Sequence, residues 1–133
     1  MKAFFSIIIL TLLVSCDESF RSDEIIGVYV PIGYKNSYDT IWIRPDSLYS
    51  RKVYNAENKI VLTTTQKYVF INNNIIDFFY FFENYDYDLA LYPENLSDTL
   101  GGMQCRLERY KGEVRFCIDL SSESRRYCYK KID

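Results

Sequence analysis

The sequence predicts an all-β protein, an antiparallel meander of about eight to ten short strands. A small closed barrel is the expected form and an open β-sandwich the alternative. Three observations lead there. From Ile25 onward apolar and polar residues alternate with a period of two, and no segment carries a helical stripe. Tyrosine and phenylalanine, 13 and 9 of the 133 residues, suit pleated, half-buried surfaces. Asn-, Asp-, Gly- and Pro-containing turns recur between the apolar runs.

The elements follow in order. "IIGVYV" opens the domain at Ile25, and "YDTIWIRP" follows, ended by Pro45 because proline cannot donate to a ladder. "SLYSRKVY" leads to a turn at "NAENK". "IVLTTTQKYVFI" reads as one long strand or two short ones, and "NNN" (Asn72, Asn73, Asn74) is a turn, since Asn tolerates positive φ. "IIDFFYFF" is the most apolar stretch and is expected to be the most buried strand, with Tyr80 in the core. "LALY" is a further strand candidate between the loops "ENYDYD" and "PENLSD". "MQCRLERY", "EVRFCIDL" and "RRYCYKKI" close the domain.

The last strands can be aligned residue by residue. A loop of Ser121 to Ser124 sets Phe116 against Tyr129, Cys117 against Cys128, Ile118 against Tyr127 and Asp119 against Arg126. A turn at Lys111 and Gly112 sets Leu107 against Phe116, Glu108 against Arg115 and Met103 against Leu120. Apolar then meets apolar and charge meets opposite charge, whereas a one-residue slip would scatter the apolar set over both faces. This register predicts a Cys117–Cys128 disulfide on the polar face and a free, buried Cys105. The rival, Cys105–Cys117, needs a three-residue loop that breaks the Leu107–Phe116 match.

The N-terminus reads "MKAFFSIIILTLLVSC". Lys2 precedes an apolar run from Ala3 to Val14, too short for a bilayer core of about 30 Å, so it reads as a signal-peptide h-region. The ending Leu13-Val14-Ser15-Cys16 resembles the lipobox of bacterial lipoproteins. The resemblance implies cleavage before Cys16, a diacylglycerol on its thiol and acylation of its new amine. Two or three chains anchor firmly where one does so marginally. The expected organisation is a signal peptide over residues 1–15, a lipidated cysteine and polar tether over 16–24, and a single domain over 25–133. Asp17 and Glu18 resemble two sorting signals of Gram-negative lipoproteins, one retaining them at the inner membrane and one sending them to the surface. The expected location is the cell envelope, lipid-anchored, at the outer membrane.

"DTI", "DSL" and "DTL" resemble the Asp-Ser/Thr-apolar O-glycosylation motif of some gut-type Gram-negative bacteria, which would place glycans on Thr40, Ser47 and Thr99. Gly27-x-Tyr29 in the first strand resembles the Gly-x-Trp of lipocalin-like, or calycin, lipoproteins, with Tyr in place of Trp. That resemblance implies one up-and-down barrel.

Composition narrows function. The chain has no histidine, so the commonest general base and metal ligand is missing. It has no P-loop, Cys-x-x-Cys, dinucleotide loop or Ser-His-Asp set. No catalytic residue, cofactor or metal is expected, and the acidic residues Glu83, Asp86, Asp88, Glu94 and Asp98 lack calcium-loop spacing. A net charge of −2 offers no footprint for nucleic acid. The expectation is a non-enzymatic envelope lipoprotein with two modes open. One is a protein-binding domain of the interaction, inhibitor or immunity type, presenting Tyr34, Tyr38, Trp42 and Tyr49. The overall acidity suits a basic target. The other is a lipocalin-like carrier of a small apolar ligand, lined by "FFYFF".

Overall fold

In a computed structural model the described residues are 18–33, 39–82, 101–119 and 126–133. Among them eight strands follow in sequence: β1 (Gly27–Pro31), β2 (Asp39–Ile43), β3 (Leu48–Tyr54), β4 (Ile60–Ile71), β5 (Ile75–Phe79), β6 (Gly102–Tyr110), β7 (Glu113–Asp119) and β8 (Arg126–Lys131). Each pairs antiparallel with the next, and β8 returns to β1, so the sheet closes into an up-and-down barrel. Closure removes the unpaired strand edges that an open sandwich would leave. The stretch with two readings is a single 12-residue strand, β4. "LALY", "PENLSD" and the loop of Ser121 to Ser124 lie outside the described residues.

The predicted registers of the last three strands are those observed. Leu107 faces Phe116 and Glu108 faces Arg115 across β6 and β7. Phe116 faces Tyr129, Cys117 faces Cys128, and Asp119 faces Arg126 across β7 and β8. Cys117 and Cys128 are joined by a disulfide on the outer wall, and Cys105 is buried and takes no part in a disulfide. Leu120, the expected partner of Met103, lies outside the described residues.

Two expectations are corrected. "IIDFFYFF" is not one strand buried on both faces. β5 ends at Phe79, and Tyr80 follows in the left-handed region with φ 54°. That residue resets the alternation, so Phe78 and Phe81 enter the lumen while Phe79 and Tyr80 face outward. Tyr80 is therefore not a core residue. The polar segment before Ile25 is not a free tether either. The Phe20 amide donates to the Asn73 carbonyl at 2.7 Å, and its ring is buried. The Glu18 carboxylate accepts from the Arg109 amide at 2.6 Å. A short helix, α1 (Ser22–Ile25), carries Ile25 under the barrel. Its first turn is held by Glu24, which accepts from the Arg21 amide at 2.7 Å. That bond, and then Arg109, keep the exposed Glu24 carboxyl below its ordinary range. The segment's polar composition hid an apolar anchor, Phe20, which with Ile25 closes one end of the barrel.

Gly27 of the Gly-x-Tyr motif has φ 148°, and a Cβ there would run into the side chains of Lys131 and Asp133. Asp133 uses that space to accept from the Val28 amide at 2.7 Å. Tyr29 is fully buried, and its hydroxyl donates to the Ile25 carbonyl at 2.8 Å.

Candidate functional site

The lumen is filled by rings. Tyr49 meets Phe78 edge-on at 4.9 Å between centroids, and Phe78 stacks on Phe81 at 5.1 Å. Phe116 stacks on Tyr129 at 4.8 Å, and Tyr127 meets Tyr129 edge-on at 5.0 Å. Offset and edge contacts of this kind are the favoured aromatic geometries. Tyr49 was expected on an interaction face. It instead points inward from β3, 1% exposed, and its hydroxyl donates to the Phe79 carbonyl at 2.7 Å. Its parity with Arg51 and Val53, both buried, explains this.

A charged cluster that sequence reasoning missed sits among the rings. Arg51 Nε donates to Asp39 Oδ2 at 2.6 Å, with both side chains at most 1% exposed. The Tyr129 hydroxyl donates to the same carboxylate, at 3.0 and 2.9 Å from its two oxygens. That commits its proton and leaves its oxygen to accept from Tyr127, 3.2 Å away. Arg51 also donates to the Phe82 carbonyl and lies over the Phe81 ring at 4.3 Å. Its Nη2 has no hydrogen-bond partner among the described residues. Burial, and then the Asp39 charge, push the Tyr129 phenol well up. The signal was present in the sequence. Asp39 shares parity with Ile41 and Ile43, and Arg51 with Tyr49 and Val53, so each is a charge in an apolar phase. The Asp39–Arg51 pair is held by its neighbours and presents no open face for a substrate.

The exterior is different on its two sides. Across β6, β7 and β8 it is charged: Arg126 pairs with Glu108 at 3.1 Å and Arg115 with Glu113 at 2.9 Å. The Cys117–Cys128 bridge lies between them, with Cys117 Sγ 3.5 Å from Glu108 Oε1. Across β2, β3 and β4 the outward charges are Lys52 and Lys67; the rest is Thr, Ser, aliphatic and aromatic.

Trp42 stands at the centre of that second wall, 50% exposed. It faces Val28 on β1 and Ser50 on β3, and Thr40 beside it faces Lys52. These residues and Tyr54 line a shallow depression of about 170 Å³. The Arg44 guanidinium lies over the Trp42 ring, 5.5 Å from its centroid, and is itself held by Asp46 at 2.7 Å. The Ser50 and Thr65 hydroxyls lie 3.2 Å apart and extend the wall to β4. Where α1, the turn at Pro45 to Leu48, and β4 meet, a larger groove of about 810 Å³ opens, with Ile25, Tyr68, Phe70 and Phe79 among its lining.

The structure thus places Trp42 on an exposed wall and Tyr49 in the core, while Tyr34 and Tyr38 lie outside the described residues. Of the glycosylation candidates, Thr40 shares the depression with Trp42, Ser47 sits exposed in a turn with φ 61°, and Thr99 lies outside the described residues. Cys16 also lies outside them. No protein-family model matches the chain, and no curated protein matches its sequence.

Proposed function

We propose that this chain is a lipid-anchored envelope lipoprotein of the outer membrane whose barrel binds a protein through its β1–β4 wall and performs no chemistry of its own. The observation that carries the protein-binding reading is the contrast between a lumen occupied by its own rings and an exposed Trp42 wall with few charges. Interface centres are depleted in charge and enriched in Trp and Tyr. The two lysines on the wall, Lys52 and Lys67, suit a partner whose facing surface is acidic. The local charge, rather than the chain's net acidity, is what such a partner would meet. Lipidation at Cys16 rests on the lipobox resemblance and on Lys2 with its apolar run.

Site-specific photo-crosslinking in the native envelope tests this. A crosslinker replacing Trp42 should yield one discrete adduct that the same group replacing Gln104 on the opposite wall does not. Equal labelling from both sites would remove the reading. A second mode, carriage of a small apolar ligand, is favoured by the groove beside α1, with Phe70 and Phe79 in its lining. Native mass spectrometry separates the modes: a small-molecule adduct lost in a Phe70→Asp variant supports the carrier.

A further inference from the structure

The N-terminal segment fixes more than the closure of the barrel. Phe20 is 2% exposed, bonded to Asn73 and covered by the Arg109 guanidinium at 4.5 Å. Glu18 is bonded to Arg109 at the end of β6. Only Asp17 separates Glu18 from Cys16. Two residues of fully extended chain span about 7 Å. If Cys16 holds acyl chains, the end of the barrel bearing α1 and the β6–β7 turn cannot stand far from the bilayer.

That end carries the residues an interface accepts. Tyr110, at the tip of the β6–β7 hairpin, is 47% exposed, and Ile132 on the same rim is 56% exposed. Lys111 lies in the turn itself with φ 51°, its ammonium 5.3 Å from the Tyr110 ring. The Arg115 guanidinium lies over the same ring at 4.1 Å. Two neighbouring cations are paired: Arg109 with Glu24 at 2.8 Å and Arg115 with Glu113 at 2.9 Å. Lys111 has no ion pair among the described residues. An amphipathic ring beside an unpaired ammonium is the pairing that settles at headgroup depth.

We propose that this rim lies against the membrane, with Tyr110 and Lys111 as a second contact to phospholipid headgroups. The inference rests on the lipid-anchor reading of Cys16. It gives the anchored barrel one orientation, with the β3–β4 turn directed away from the bilayer.

The test uses the full lipidated chain, extracted from its envelope and placed in vesicles of phosphatidylethanolamine and phosphatidylglycerol. A fluorophore is attached at Lys111→Cys or Ile132→Cys on the rim, or at Glu57→Cys in the β3–β4 turn. Headgroup spin-labelled lipid should quench the rim labels several-fold more than the label at 57. The mass of the N-terminal peptide is read first. A lipidated Cys16 with equal or inverted quenching would overturn the orientation and leave the anchor reading intact. An unmodified, soluble chain would overturn both. Two rim sites keep the result readable if one variant folds poorly.

Discussion

Tyr129 in the last strand and Asp39 in the second are bonded across the lumen at 2.9 Å, over the intervening β1. The carboxylate also holds Arg51, so one buried group ties β8, β2 and β3 together. Breaking a buried ion pair by removing one member costs about 3–5 kcal/mol, because the other charge stays uncompensated. Asp39→Ala should lose stability on that scale in urea denaturation. The double variant Asp39→Val, Arg51→Met removes both charges and should lose less than Asp39→Ala alone. A larger loss in the double variant would show that Arg51 stabilises the fold chiefly by packing.

Alkaline pH should unfold the barrel through its tyrosines. Burial pushes the phenols of Tyr29, Tyr49 and Tyr129 up in the folded state. In the unfolded chain they ionise near pH 10. Stability is therefore fully present below about pH 10 and falls as pH rises past it, by about 1.4 kcal/mol per pH unit for each such tyrosine. Urea midpoints at about pH 8 and about pH 11, followed with tyrosinate absorbance, would check this. An unchanged midpoint would mean that the phenols ionise in the native state.

The Cys117–Cys128 bridge closes a loop with a sequence separation of 11. Loop-closure entropy gives such a bridge about 3 kcal/mol. Cys128→Ser should lower stability by about that amount, and non-reducing peptide mapping of the native protein should find the two peptides linked. Cys105 should react with thiol reagents only after unfolding, because it is fully buried.

Trp42 and Tyr49 should behave oppositely. Trp42→Ala should move the melting temperature little, since exposed substitutions usually change stability by less than about 0.5 kcal/mol, while losing the partner adduct. Tyr49→Ala should cost about 3–5 kcal/mol, as for other large aromatic core truncations. Because Thr40 lines the same depression, a glycan there would cover Trp42. Native mass measurement of the protein from its own cells should therefore find glycan on Thr40 or a partner on Trp42, and a chain carrying both at once would refute the proposed docking wall.

Much of the barrel was legible because period-two alternation and opposed charges are short-range signals. Leu107, Phe116 and Tyr129 announce one face, while Glu108 and Arg115 announce the other, and the cysteine pairing follows from them. "FFYFF" was not legible, since a run of aromatics carries no phase and the reset at Tyr80 is a backbone event. Phe20 was hidden by the charges around it, and Ile25, read as the start of the first strand, ends α1 instead. Asp39 and Arg51 were out of phase individually, but only the closed sheet brings Tyr129 to them. The exposed wall around Trp42 became visible once barrel closure assigned inside and outside to every strand.

The closing strand has a consequence for a chain in transit. β1 lacks one neighbour, and Asp39 one of its donors, until β8 arrives. In a polypeptide that emerges N-terminus first the ring would stay open until β8 has followed the other seven strands. Locking would then wait for the eighth strand, so the order of the strands itself would delay closure.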